Sequence, residues 1–399
     1  MKVLHVIPSV SERSGGPGQA IIPMCRSLQE QGVEVLIATT DAGLNEAITL
    51  RAPGSHKGIP TIFFPLQWGQ SFKYSRPLAV WAEANVKTFD VVHIHAVFNH
   101  ASVAAARACR RHDVPYLVRP LGTLDPWSMK QKPLRKMLFW QLAARQMLRG
   151  AAAIHYTAAG EQNATEQSLG LNHGTVVPLG IEPEIADRPL DLENFAREFP
   201  GLATHPYVLV LSRLHRKKGL DVFLDAFLAL TQQREFRHWR LVLAGEGPVD
   251  YVNLLKKMVE SRNAGELVVF PGWLDSEKKN YILRHASLVA LPSYHENFGL
   301  CIMEAMACSV PVLVSPHVSL AREIEAAGAG WIAAVENVAI EATLREALGS
   351  EARRTRRGLA GKNVSGDFAW SSVASQLLIV YSAVLAERSQ VSTRLVAHA

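Results

Sequence analysis

Short apolar runs alternate with helix-length amphipathic segments along the whole chain, and the alternation is played out twice. Residues 3–7, 33–39, 91–94 and 115–118 are near-continuous apolar stretches of the kind given by strands covered on both faces. Helical stretches such as 20–31 and 101–111 lie between them. A second series runs through 207–211, 240–244, 267–270, 288–291 and 312–314, with helices expected at about 219–233, 249–262 and 299–307. This pattern predicts an α/β fold of two Rossmann-like, doubly wound parallel-sheet domains. A chain of 399 residues is also too long for one ordinary core. The expected break is the stretch 183–206, which holds Pro183, Pro189, Pro200 and Pro206. That places the first domain at 1–185 and the second at 186–370. Ligands of such sheets bind beyond the carboxyl ends of the strands, so a cleft between the domains is the expected site.

Composition removes several classes. A net charge of +6 over this length does not point to nucleic acid. Cys25, Cys109, Cys301 and Cys308 show neither a disulfide framework nor zinc-ligand spacing, so no metal is expected. The run 2–7 is strand-like rather than ordered like a signal peptide, and no apolar stretch is long enough to span a bilayer. The expected location is the cytoplasm, either free or peripheral at the inner membrane face.

The most informative segment is His295-Glu296-Asn297-Phe298-Gly299-Leu300, continuing to Glu304. It follows an apolar strand and opens a helix. Such an entry presents unpaired backbone N–H groups and the positive end of the helix dipole to sugar or phosphate oxygens. Gly299 lets a ligand approach the backbone closely. Glu304, two turns into the helix, can accept two hydrogen bonds from a vicinal diol such as a ribose. The same pair is also what an N-cap glutamate and a solvated helical glutamate would give.

A second segment, from Ser212 to Asp221, follows the first strand of the second series. Arg213 and Lys218 stand where that strand feeds its helix. A forked guanidinium and an ammonium there can neutralise a diphosphate leaving group without Mg²⁺. A solvated basic loop is the alternative. In the first domain, Ser14-Gly15-Gly16-Pro17-Gly18 precedes a helix and either faces an anion or makes a tight turn.

Together these segments resemble the GT-B-fold retaining glycosyltransferases of family 4 (glycosyl transferases group 1). Glu296 and Glu304 match its paired glutamates, Arg213 and Lys218 its basic pair, and Gly15 and Gly16 its glycine-rich first loop. Fainter phrases follow in order, at 90–95, 177–181, 244–248 and 270–272. Residues 367–370 look like the start of terminal helices, about 371–399, that cross back to the first domain. The resemblance implies a metal-independent, retaining transfer of a sugar from a UDP- or GDP-sugar, with no cofactor. Arg213 and Lys218 would hold the diphosphate and Glu304 the ribose. Glu296, with the backbone of Asn297, Phe298, Gly299 and Leu300, would face the donor sugar. Gly16 would lie near the phosphate, and the base would rest near Gly272 and Trp273. The departing phosphate is taken to help deprotonate an acceptor that attacks from the same face.

Some positions depart from the family pattern. Leu121 stands where many relatives carry a histidine that contacts the donor sugar, so Arg119, His95 and Asp125 become substitutes to consider. Leu179 and Ser309 replace a usual Asn and Gly. In the acceptor half, 127–149 carries Lys130, Lys132, Arg135, Lys136, Arg145 and Arg149 among Met137, Leu138, Phe139 and Trp140. This reads either as a basic amphipathic helix lying on an anionic membrane, suited to a lipid-linked acceptor in polysaccharide synthesis, or as a packed helix with a solvated basic side. Other readings are an epimerase on the same fold, a non-catalytic nucleotide-sugar binder, and an NAD-dependent oxidoreductase. The last lacks the dinucleotide glycine spacing, because Ile21 stands at the third position.

Overall fold

The computed structural model describes residues 1–11, 16–44, 51–130, 133–182 and 192–397. The chain divides into two compact units: Met1–Gly180 with Trp370–Ala399, and Ile181–Ala369. Residues 183–191, in the stretch where the sequence suggests a break, lie outside the described residues, as do 12–15 of the first glycine loop.

The first unit is built on eight strands: β1 (Lys2–Val6), β2 (Glu34–Thr40), β3 (Pro53–His56), β4 (Ile59–Phe64), β5 (Val91–His95), β6 (Tyr116–Arg119), β7 (Ala153–Tyr156) and β8 (Gly174–Val176). Their order is β3-β4-β2-β1-β5-β6-β7-β8, parallel except for the β3–β4 pair. Side chains alternate between faces. Leu4, Val6, Val92 and Ile94 form one core with Ala101, Ala105 and Ala108 of the helix His100–Arg111. Where strand logic predicts more aliphatic residues on the opposite face, the sheet carries buried His5, His93, His95, Arg119 and His155.

The second unit has six parallel strands: β9 (Tyr207–Leu211), β10 (Arg240–Ala244), β11 (Val268–Gly272), β12 (Leu288–Leu291), β13 (Val312–Val314) and β14 (Gly330–Ile332). Their order is β11-β10-β9-β12-β13-β14. Val208, Val210, Leu241, Leu243, Leu288 and Ala290 pack with Phe223 and Phe227 of the helix Leu220–Thr231. In both sheets the winding direction reverses once, between β1 and β5 and between β9 and β12. Loops leaving the two strands at such a reversal part to opposite faces and leave a crevice, the usual ligand position of doubly wound sheets.

Two local departures have plain causes. The segment expected as one amphipathic helix over 127–149 is broken into Pro126–Met129, Pro133–Phe139, a π-turn at Trp140–Ala144, and Arg145–Arg149. Pro133 suits a helix start and not an interior. Ser309 adopts φ +57°, a left-handed conformation that costs a residue with a Cβ but not glycine. This is why glycine suits the position. Ser309→Gly is expected to raise stability by about 0.5–1 kcal/mol, the left-handed relief less the entropy glycine adds to the unfolded chain. The denaturant midpoint of the purified variant reads this out.

Candidate functional site

The two motif-bearing loops leave β9 and β12, the strands that flank the reversal in the second sheet. These strands pair in parallel register, Leu288 with Val208 and Val289 with Leu209, so their carboxyl ends rise side by side. After β9 the chain passes the exposed Arg213 and turns through Arg216–Lys218 to Gly219 at φ +63°. A Cβ on Gly219 would lie 2.4 Å from the Pro292 carbonyl oxygen, so only glycine lets the two loops close up. Tyr294 N–H then donates to the Lys217 carbonyl at 2.9 Å.

This closure aims Lys218 at Glu296. Glu296 is fixed by its backbone: its N–H donates to His317 O at 3.1 Å, and its carbonyl accepts from Ser319 N (3.1 Å) and Ser319 Oγ (3.2 Å). Lys218 Nζ and Glu296 Oε2 form an ion pair, their side chains only 11% and 19% exposed. Burial pushes the Glu296 carboxyl up, but the Lys218 ammonium, helped by Lys217 and His295, outweighs it and carries the pKa below the ordinary carboxylate range. The Glu296 carboxylate is therefore charged and held against Lys218 in a poorly solvated place. The Arg213 guanidinium makes no hydrogen bond or ion pair among the described residues.

The helix Leu300–Ala307 opens at Gly299, φ +79°. Glu304 sits on it with one carboxylate oxygen, Oε1, 2.5 Å from Lys279 Nζ. The other, Oε2, is buried and has no hydrogen-bond partner. A buried acceptor left open is costly unless something fills it, and a hydroxyl pair would. Phe298 points away from this cluster: it is 2% exposed and packs against Phe368, ring centroids 5.9 Å apart. Only its backbone can face a ligand. Asn297 and Leu300 are half-buried beside it. Gly272 ends β11 at φ +75° and accepts Gly245 N–H at 2.7 Å. Trp273 follows with 37% of its surface exposed.

In the first unit the sequence-suggested residues do something else. Gly15 lies outside the described residues, and Gly16 is the half-buried first residue of the helix Gly16–Glu30. His95 and Arg119 were candidates for a sugar contact. Both are 1% exposed, so neither side chain reaches a surface-bound ligand. Arg119 lies under the helix Gly16–Glu30, with Nη1 3.7 Å from Met24 Sδ. Asp125 is also buried, capping Ser128 N–H at 2.8 Å. Leu121 takes φ +59° before Gly122 at φ +67°, and Glu161 Oε1 accepts the Gly122 N–H at 2.7 Å.

The buried histidines form a directed chain. The Val177 carbonyl can only accept, so His155 Nε2 (2.7 Å away) carries a proton. Its Nδ1 then accepts from His93 Nε2 at 3.1 Å, and His93 Nδ1 accepts from Tyr381 O–H at 2.7 Å. His5 Nδ1 and His95 Nε2 pair separately at 3.1 Å. Although His5, His93 and His95 bring nitrogens within 4.8 Å of one another, the trio does not suit a metal ion. Both nitrogens of His93 are engaged, and the nearby Arg119 guanidinium opposes a second cation. Sequence reasoning missed this layer, along with Lys279. In the sequence, Lys279 carries no mark beyond a helical basic residue 25 positions from Glu304.

Residues 193–364 match the family model for glycosyl transferases group 1, and residues 15–180 match that for a glycosyl transferase 4-like domain. A GDP-mannose-dependent alpha-(1-6)-phosphatidylinositol dimannoside mannosyltransferase of Mycobacterium tuberculosis is 30% identical, covering 96% of this chain and 97% of its own. A D-inositol 3-phosphate glycosyltransferase of Nocardiopsis dassonvillei is 26% identical over 94% of this chain and 91% of its own. Among solved structures, Anabaena HepE in complex with UDP and glucose has a TM-score of 0.76 at 20% identity, covering 96% of this chain and all of that one. Sucrose-phosphate synthase from Thermosynechococcus elongatus has a TM-score of 0.76 at 18% identity, covering 97% and 99%. At that identity both show the GT-B fold.

Proposed function

This chain belongs to the group 1 glycosyltransferases, and we propose from that membership a metal-independent, retaining transfer of a sugar from a nucleoside-diphosphate sugar to a glycan or lipid-linked acceptor. The observation that carries the reading is the largely buried Lys218–Glu296 ion pair at the strand reversal, made between the loop that also bears Arg213 and the loop that leads into the helix of the half-open Glu304.

In this reaction the bond between the anomeric carbon and the β-phosphate oxygen breaks. The acceptor oxygen bonds to the same face of that carbon, and its proton passes to the departing phosphate. Negative charge grows on the diphosphate as the bond lengthens. Lys218, in a poorly solvated place, and the exposed Arg213 would stabilise that charge. Glu304 Oε2 would accept the ribose hydroxyls, Glu296 would face the donor sugar, and the exposed Trp273 would offer an aromatic face to the base. Polysaccharide assembly is the setting this suits. The enzyme would act in the cytoplasm, with the basic segment 127–149 bringing it to the membrane that holds a lipid-linked acceptor. Support for the donor class comes from relatives and fold neighbours whose names specify GDP-mannose or UDP.

A panel of UDP- and GDP-sugars incubated without acceptor tests the reading. Slow release of nucleoside diphosphate from one member, undiminished by EDTA, is expected. Release that needs added Mg²⁺, or appearance of a free epimer in place of hydrolysis, would replace the proposed chemistry.

A further inference from the structure

The broken helical segment 133–149 is apolar on two sides. One side packs inward: Phe139 meets Phe72 and Phe98 with ring centroids 6.0 and 5.6 Å apart, and Ala144, Met147 and Leu148 are buried. Lys136 is also turned inward, donating to Ser128 O at 2.6 Å and lying over the Phe98 ring. The other side leaves Leu134, Leu138 and Leu142 exposed at 75%, 61% and 72%, with Met137 at 57% beside them. Their spacing of four residues makes one stripe. Arg145 and Arg149, both exposed, continue it. A surface helix normally shows water a polar back, so a second apolar stripe on an otherwise packed element calls for a partner.

The charge around the stripe says which. Residues 126–160 contain six Lys and Arg and no Asp or Glu. Among them Lys130, Arg135, Arg145 and Arg149 are exposed and make no ion pair among the described residues. A second copy of this chain is a poor occupant, because a symmetric contact would set the same cations against each other. An anionic bilayer matches both features, since headgroups take the cations and the acyl boundary takes the leucines. No described helix is long and apolar enough to cross a membrane, so the contact lies in the interface plane.

We propose that Leu134, Leu138 and Leu142, with the exposed Lys130, Arg135, Arg145 and Arg149 that precede, interleave and follow them in sequence, form a docking face for an anionic lipid surface. For its purpose, though not its physics, the inference rests on the lipid-linked acceptor proposed above. The expected aromatic anchors are not part of the face: Phe139 and Trp140 belong to the inner side.

Co-sedimentation with vesicles tests it, using phosphatidylcholine alone and phosphatidylcholine mixed with phosphatidylglycerol. Wild type is expected to pellet with the mixed vesicles only, less so as salt rises. The triple variants Leu134→Gln/Leu138→Gln/Leu142→Gln and Arg135→Glu/Arg145→Glu/Arg149→Glu should each bind at least ~10-fold more weakly. All six positions are on the surface, so both variants should keep the wild-type melting temperature and donor hydrolysis rate. Wild type that stays in the supernatant overturns the proposal. So does binding unchanged in both variants, or a wild-type dimer in gel filtration that the leucine variant abolishes while vesicle binding persists. Hydrolysis reads the donor reaction separately, so failure of one proposal leaves the other standing.

Discussion

Lys218→Met lowers kcat/KM by about 10²–10³-fold and weakens nucleoside diphosphate binding, whereas Glu296→Gln slows transfer but tightens that binding. The opposite signs follow from the ion pair. Without a ligand, Lys218 is neutralised by Glu296 in a place where both are mostly shielded from water. A diphosphate arriving there must compete with the carboxylate for the ammonium. Removing the carboxylate frees the cation, so the anion binds better, while the group proposed to face the donor sugar is lost. Removing the ammonium takes away attraction and leaves Glu296 to repel the incoming charge. Deleting one partner of a buried pair also costs stability, about 3 kcal/mol at the low end of the range because each side chain keeps some exposure. Thermal melts must therefore accompany calorimetric titration with UDP and GDP. If the pair only braces the loops, both variants melt lower and both bind nucleotide equally or more weakly. That outcome removes Glu296 and Lys218 from the proposed machinery.

The second unit was legible because its chemistry lies on loops that directly follow its most apolar strands. The run 207–211 announces β9, and Arg213 and Lys218 come within seven residues of its end. The run 288–291 announces β12, and Glu296 follows the same way. What the sequence could not show is that these strands are neighbours, since 77 positions separate Leu211 from Leu288. Adjacency is a property of the winding order, as is the meeting of Lys279 with Glu304. Short edge strands were also hidden. β8 and β14 are three residues each, too brief for a periodic signal, and Gly330 within β14 reads as a breaker. The first unit misled for a different reason. His95 and Arg119 end apolar strands, where ligand contacts are expected, but alternation turns them to the face covered by the helix Gly16–Glu30. Polar residue types at strand ends suggested a site; the side they face decides otherwise.

That covered face leads to the other large effect: the first unit should unfold in mild acid, well before the second. His5 and His155 are each depressed to about 3, by burial first and by the Arg119 guanidinium second. His93 and His95 are lowered well below the ordinary value, also by burial first. A histidine that stays neutral in the folded chain but takes a proton near pH 6.5 when unfolded favours unfolding as the pH drops below 6.5. The loss continues until the folded-state value is reached. At pH 5 each of the two valued groups costs about 2 kcal/mol, so together about 4 kcal/mol, and His93 and His95 add to it. Native domains hold only about 5–15 kcal/mol. Arg119, at about 10, stays charged throughout and cannot relieve the layer. Glu161, raised by burial, acts the other way because its folded form takes up a proton early, but it is one group against four. In the second unit Glu296 is depressed, so its contribution is lost only as the pH falls below the ordinary carboxylate range. Hydrogen exchange at stepped pH should thus show protection lost first in β1, β5 and β7 while β9 and β12 remain protected. His5→Gln, unable to take up the proton, should reduce the slope of stability against pH by about one proton. A single transition in which both sheets lose protection together, with the same slope in the variant, would mean that the histidine layer does not govern acid stability.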